Sequence, residues 1–496
     1  MKYLVDSMEM RAMDRHSIDT IGIPSIVLME RAALSAVQEM KGRLIGRPSI
    51  LVFCGTGNNG ADGLAMARML TMDSYPCEIA VIGNVSHATE EWKLQCHICE
   101  QMKIPIRYDI PDRAYIIENR FSVLVDAMLG TGLSRLVSGS YEQAIQAMNA
   151  ADTYRVAVDI PSGISADTGQ VLGTAVRADL TVCFQYRKLG TLLFPGRVCS
   201  GEVAVTDIGI TPQSFDAVSP KAFTMGPEDI ADLPARPPRS HKGSFGHVLI
   251  MAGSRNMCGA AYLSALAAYR AGAGLVRIYT PEENREILQT RLPEAILTTY
   301  TTGVFPVDTL QELCKWADAA VIGPGLGVSE DTRRLVSYML QYGDFPMVLD
   351  ADALNIIAAD ENLKQLLGKN HVLTPHMGEM SRLIAQPVSR ISVDMPACAR
   401  SFSDRFGCVL VLKDACTLVS GGDQLYVNAC GNSGMATGGS GDVLSGVIGA
   451  LLAGGQLTGF EAASYGVLMH ALAGDRAAEE LGERAVMASD IARRIQ

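Results

Sequence analysis

Residues 49–64 read SILVFCGTGNNGADGL. From Ile50 to Cys54 the chain is apolar without interruption, and it runs directly into a glycine-rich turn and then a segment of helical length. A strand apolar on both faces belongs in a sheet covered on both sides, the habit of parallel sheets in α/β folds. Gly55-x-Gly57-x-x-Gly60 formally meets the dinucleotide fingerprint, in which glycines let backbone approach a pyrophosphate. A dehydrogenase also needs an acid at the end of the next strand to hold a ribose. Here that strand ends Ala80-Val81-Ile82-Gly83-Asn84. The loop instead carries the oxygen donors Asn58, Asn59 and Asp62, where a Rossmann loop keeps small residues.

The same alternation extends outward. Strand-like runs at 49–54, 78–82, 122–126, 155–160, 180–184 and 202–205 are separated by helix-length segments. Two helical stretches precede them, 7–19 and 24–44, the second opened by Pro24. Residues 211–246 are proline-rich, polar and aperiodic, so a domain is expected over 1–215, a linker over 216–240 and a second domain over 241–496. Another strand series follows at 247–251, 275–279, 319–322, 347–350, 372–374 and 408–412, ending in helices 442–452 and 460–481. A chain of 496 residues is too long for one ordinary core, which agrees with two α/β domains.

Composition narrows the function. With 42 basic against 53 acidic residues and a net charge of −11, nothing is built to neutralise a nucleic-acid backbone. The 12 cysteines follow no repeating spacing, the pattern of reduced thiols in a cytoplasmic protein. Cys96-His97-Ile98-Cys99 is a lone CxxC without a second pair and reads as packing. The N-terminus mixes charges into its first turns and lacks an apolar signal core. The longest apolar run, 443–454, is too short and glycine-rich to span a membrane.

Two further strand ends carry oxygens: Asp126 ahead of Leu129-Gly130-Thr131-Gly132, and Asp159-Ile160-Pro161-Ser162-Gly163. Ligands of open α/β sheets bind at the carboxyl ends of the strands, so these loops are expected to converge with the first. The Asn59 amide, Asp126 carboxylate and Ser162 hydroxyl suit an alkali or alkaline-earth ion. Any one of these loops alone is equally ordinary turn chemistry.

In the second half, residues 431–446 read GNSGMATGGSGDVLSG. Glycines and a helix start near Gly441 make an anion site, and Asp442 stands in it as a proton acceptor for a group exchanging a phosphoryl. A capped helix after a flexible loop explains the Asp but not the glycines. His376 reads either as a helix cap or as a substrate contact, and Asp350 and Asp352 either as magnesium ligands or as caps. No GxxxxGK[ST] occurs, which excludes a P-loop template.

GTGNNGADGL, DAMLGTGL and VDIPSGISADTG resemble the NAD(P)H-hydrate epimerase domain over residues 1–211. HKGSFGHVLIMAGS, GPGLG, DADALN, LTPHMGEMSRL, VLKDACTLV and GMATGGSGDVLSG resemble the ADP/ATP-dependent NAD(P)H-hydrate dehydratase, of the ribokinase-like superfamily, over residues 241–496. The resemblance implies an N-terminal Rossmann-like and a C-terminal ribokinase-like three-layer α/β sandwich. It also implies that hydrated NADH or NADPH is bound by Asn58, Asn59, Gly60, Ala61 and Asp62, and by Gly130, Thr131, Gly132, Leu133, Ser134, Arg135 and Leu136. Asp159 would sit beside the nicotinamide ring, and Asn59, Asp126 and Ser162 would hold K+. In the second domain Ala260, Gly325, His376 and Asp442 would contact the hydrate. Lys413, Asp414, Ala415, Cys416, Thr417 and Gly441 would hold ADP or ATP, with Mg2+. A cytoplasmic homo-oligomer is expected. Three positions depart from the family pattern: Ala61 and Asp414 replace glycines, and Ser440 replaces threonine.

Hydroxide is a poor leaving group and phosphate a good one, so a kinase-like site solves a dehydration. The expected activity is epimerisation of R and S hydrates with nucleotide-driven dehydration of the S form, by Asp159 and Asp442 respectively. The alternatives are a ribokinase-like small-molecule kinase fused to a dinucleotide-binding domain, and a non-catalytic dinucleotide sensor.

Overall fold

Every residue of the strand Ile50–Cys54 is buried. In this computed structural model, which describes residues 1–496, the strand lies third in a seven-stranded parallel sheet. The order is Ile106–Arg107, Cys77–Val81, Ile50–Cys54, Val123–Ala127, Tyr154–Val158, Leu180–Phe184 and Glu202–Thr206. Alternate residues serve opposite faces: Ile50 and Val52 join one apolar cluster with helices Ser25–Lys41 and Asn58–Met72, and Leu51 and Phe53 join another with helix Ser140–Ala150. That is a three-layer sandwich. From Ile50–Cys54 the chain first builds towards one edge and then, from Val123–Ala127, towards the other, which opens a crevice at the carboxyl ends of these two neighbouring strands.

A second compact unit comprises Met1–Lys2 with Phe223–Gln496, against Tyr3–Ala222 for the first. Its strands run in the order Ile296–Tyr300, Leu275–Pro281, His247–Met251, Ala319–Ile322, Met347–Leu349, His371–Leu373, Val409–Leu412, Leu418–Gly421 and Gln424–Val427. The first seven are parallel and the last two antiparallel. The sequence reading omits the antiparallel hairpin, which turns at Gly422 in the left-handed region (φ +59°). It also omits the edge strand Ile296–Tyr300, which is nowhere fully buried and so lacks the continuous apolar run that marks its neighbours. Helix Ser440–Ala453 lies so close to the sheet that a Cβ on Gly449 would come within 2.5 Å of Val321 Cγ2.

Residues 216–240, read from sequence as a linker, carry structure. They contain the strand Ala222–Thr224 and the 3-10 turn Pro227–Asp232, and Phe223 packs on Tyr426 and Phe460. No helix is long and apolar enough to cross a membrane.

Candidate functional sites

The crevice of the first unit opens into a cavity of about 880 Å3. Asn58, Asn59 and Asp62 reach it from the start of helix Asn58–Met72, Gly130 to Arg135 from the loop after Val123–Ala127, and Asp159 from the end of Tyr154–Val158. Three of the residues expected to bind the hydrate do not line it. Gly60 and Ala61 are buried on the inner side of the helix: a Cβ on Gly60 would come within 1.9 Å of the Gly55 carbonyl oxygen, so this position makes the turn possible. The added methyl of Ala61 is absorbed by the core. Leu136 is not among the lining residues and is 70% exposed.

Asp126 is fully buried, and burial pushes its carboxyl up to about 6. Ser162 donates its hydroxyl to Oδ1 at 2.6 Å and its N–H to Oδ2 at 2.7 Å. The Leu129 N–H in turn donates to Ser162 Oγ at 2.8 Å, so the second and third strand ends are tied together. Asn59 lies against Gly130, and its Nδ2 is buried without a partner. Exchanging the two ends of that amide, which are equivalent in shape, places an oxygen there instead. A buried carboxylate with no basic side chain bonded to it, a hydroxyl and an unpartnered amide fit a monovalent cation with oxygen ligands. No cluster of His, Cys, Asp and Glu suited to a transition metal occurs.

Asp159 adopts φ +68°, a left-handed backbone uncommon for a residue with a side chain. Its Oδ1 accepts the Phe184 N–H at 2.9 Å and is ion-paired with Lys188 Nζ. Lys188 is fully buried, also donates to the Phe184 carbonyl at 2.8 Å, and is paired in register with Val5. From helix Ser7–Arg15, Met10, Arg11 and Asp14 line the same cavity. Asp14 and Lys188 belong to no motif, and sequence reasoning missed both.

In the second unit the strand ends again carry the polar groups. Asp350, following Met347–Leu349, is buried, accepts Lys413 Nζ at 2.9 Å on Oδ1 and receives the Ser445 hydroxyl at 2.5 Å on Oδ2. A Cβ on Gly441 would come within 3.2 Å of Lys413 Nζ, so the lysine lies across the first turn of helix Ser440–Ala453. That helix is capped by Gly439 at φ +90°, and Asp442 sits in its first turn. Burial, together with Asp350 and Asp352 and opposed by Lys413, pushes the Asp442 carboxyl up to about 7. A base poised near neutrality is what proton abstraction at physiological pH needs.

Gly325 (φ +58°) touches Ala260: a Cβ there would lie 2.9 Å from the Ala260 methyl. Asp352 Oδ2 accepts the Gly327 N–H at 2.8 Å, fixing the same loop. His376 caps helix Met377–Ile384, Nδ1 accepting the Gly378 N–H at 3.0 Å, while its side chain stays 55% exposed. Its backbone bridges that of Lys413, which brings the two segments side by side. Within the lysine segment Asp414 and Ala415 are exposed, and the Thr417 carbonyl accepts the Asn428 N–H. Cys416 turns inward and donates to the Asn428 carbonyl at 3.1 Å, so its thiol is not presented to a ligand. Sequence reasoning also missed His470, buried beneath the glycine loop with Nε2 3.3 Å from Ser440 Oγ; burial holds it down to about 4 and therefore neutral.

A family model described as NAD(P)H-hydrate dehydratase matches residues 248–496, and one described as YjeF-related protein N-terminus matches residues 25–190. The bifunctional NAD(P)H-hydrate repair enzyme Nnr of Coxiella burnetii is 37% identical over 99% of this chain and 98% of its own length. That of Escherichia coli is 35% identical over 97% and 91%. A solved ribokinase-like superfamily protein from Enterococcus faecalis, 28% identical, covers 55% of this chain and 94% of its own with a TM-score of 0.51. Fold and sites thus define a Rossmann-like α/β unit joined in one chain to a ribokinase-like one. The chain belongs to the family of bifunctional NAD(P)H-hydrate repair enzymes.

Proposed function

We propose that the protein restores hydrated NADH and NADPH, its first unit interconverting the R and S hydrates and its second dehydrating the S form while ADP or ATP gives up a phosphoryl group. The observation that carries this reading is similarity to repair enzymes over the whole chain, 37% across 99% of it, with a separate polar site in each half.

In the second unit Asp442 takes the proton of the C6 hydroxyl as that oxygen attacks the terminal phosphorus of the nucleotide. Free N–H groups around Gly438 to Gly441 and the ammonium of Lys413 stabilise the charge on the transferring group. The ring nitrogen then expels phosphate, and loss of a C5 proton restores the dihydronicotinamide. Ala260, Gly325 and His376 would contact the hydrate, and Lys413 to Thr417 with Gly441 the nucleotide. Mg2+ supplies charge neutralisation on the phosphates when bound. Asp352 keeps one carboxylate oxygen free for it, whereas both oxygens of Asp350 are engaged.

In the first unit Asn58, Asn59, Asp62 and the Gly130–Arg135 loop would bind the hydrate, with Asp159 exchanging the hydroxyl proton. K+, held by Asn59, Asp126 and Ser162, would supply the positive charge that the buried Asp126 carboxylate lacks. We place the protein in the cytoplasm as a homo-oligomer, with domains over 1–215 and 241–496.

The test is to mix the protein with both hydrate epimers and follow recovery of dihydronicotinamide absorbance with ADP, ATP or neither. Full recovery requiring nucleotide is expected. Recovery that halts at the S fraction would remove the epimerase, and phosphorylation of an added alcohol without dehydration would favour the kinase.

A further inference from the structure

We propose that Asp14 is a second catalytic carboxyl of the N-terminal cavity, exchanging a proton with the ring nitrogen of the hydrate while Asp159 exchanges one with its hydroxyl. The inference rests on the epimerase reading above.

Inverting C6 within a ring requires a bond to that carbon to break and reform. Asp159 removes the O–H proton, a C6=O bond forms and the C6–N1 bond breaks. N1 keeps the electron pair and must take a proton, giving an enamine and an aldehyde. Rotation about C5–C6 presents the other face, N1 attacks it, and both protons return to where they started. No oxidant or reductant is consumed. The step needs a proton acceptor and a proton donor at the same time, and Asp159 supplies only one of them.

Several observations place the second at Asp14. Met10 and Asp14 are four residues apart on helix Ser7–Arg15, so both face the cavity. After Arg15 the chain passes through a π-helical turn, His16–Thr20, from which Ile18 lines the same cavity. Such turns are uncommon and recur at functional sites. No protein group hydrogen-bonds or ion-pairs with the Asp14 carboxyl, which leaves it free for a ligand. Asp159, by contrast, is bound by Lys188 and by the Phe184 N–H in a strained left-handed backbone, the arrangement of a fixed partner.

The remaining acids of the cavity are Glu91, whose Oε1 already accepts the Ser25 hydroxyl at 2.7 Å, and Asp62. Burial, with Asp159 and Asp14 nearby, raises the Asp62 carboxyl well above the ordinary range, which favours its neutral form and makes it the poorer proton acceptor. Asp14 is pushed by burial only up to about 6, lowered by Lys188 and raised by Asp159. It can therefore both give and take a proton near neutrality. The other charged or titratable groups around the cavity are Arg11, Arg135 and Tyr141.

The experiment measures interconversion of R and S NADH hydrate without nucleotide, by proton NMR, in the full chain and in Asp14→Asn and Asp14→Glu, with hydrate Kd and thermal midpoint determined for each. Wild-type protein that fails to epimerise rejects the epimerase reading itself. Given an active wild type, Asp14→Asn is expected to lose about 10²–10⁴-fold in kcat, with Kd within about threefold. Asp14→Glu should keep a wild-type-like decline in rate at alkaline pH, which Asp14→Asn should lack. If Asp14→Asn turns over within about threefold of wild type, or loses affinity in proportion to rate, the proposal is overturned. Should the Asn variant fail to fold, Asp14→Glu decides: turnover reduced by about tenfold or more with Kd within about threefold and the alkaline limb retained supports the assignment, and turnover unchanged or lost in proportion to affinity overturns it. A pH limb that vanishes in Asp62→Asn instead refutes it.

Discussion

Gly446→Ala tests how the second site is held. Helix Ser440–Ala453 crosses helix Cys258–Arg270 with no side chain between them at this point, and a Cβ on Gly446 would stand 2.1 Å from the Ser264 carbonyl oxygen. Ordinary contact begins at 3.4 Å, so the helices must part by about 1.3 Å, because the obstructing atom is backbone and has no rotamer to change. Overpacking of this kind costs about 1–3 kcal/mol. Asp442 lies one turn upstream on the same helix and should move by a comparable distance, and a misplacement of about 1 Å costs on the order of 10²-fold in rate. Urea unfolding followed through Trp316 in a Trp92→Phe background would report the second unit alone, since the chain has two tryptophans. Dehydration of the S hydrate with ADP would be measured in parallel. Expected is the loss of both stability and turnover, with epimerisation unchanged. Wild-type turnover in a variant destabilised by 1 kcal/mol or more, on the order given for overpacking, would refute the argument that this contact positions Asp442.

Further expectations follow from the ionisable groups. Asp442→Asn should abolish dehydration while nucleotide affinity, measured by calorimetry, is retained; in the wild type the rate should rise with pH through about 7 as Asp442 ionises. Lys413→Met removes the cation that lowers Asp442, so the midpoint of that pH–rate curve should move above about 7, and a midpoint that stays or falls contradicts the placement. The Asp126 carboxyl, raised to about 6 by burial, contributes stability at low pH that is lost as pH rises through that value. K+ should offset the loss, giving a larger rise in thermal midpoint at pH 7.5 than at pH 5; equal rises at both would remove Asp126 from the ion site.

The alternation of apolar runs made both sheets legible, since a strand such as Ile50–Cys54, buried on both faces, has little choice but a parallel sheet. The hairpin ending in Gln424–Val427 was not legible because its strands are joined by residues 422–423 alone, without the helix-length segment that marks each strand of the parallel series. At the sites, what sits on glycine-rich loops after strands could be read, Asn58, Asn59, Asp62 and Asp442 among them. Asp14, Lys188 and His470 could not, because each comes from a segment with no loop signature and reaches its site only through tertiary packing. His376 shows the limit from the other side. Both readings of it, cap and contact, start from the same residue at the same strand end, and the structure gives its Nδ1 to the cap while leaving the ring exposed.

The left-handed backbone at Asp159 also acts on which sequences can occupy that position. Besides glycine, Asn and Asp are the residues that enter this conformation most readily, with His behind them. Asp159→Asn therefore changes the charge with little conformational penalty, whereas Asp159→Ala combines a lost carboxylate with a backbone that now prefers to turn elsewhere. An alanine scan would overstate this residue's chemistry, and mutational drift at the site is filtered by main-chain geometry before selection on activity begins.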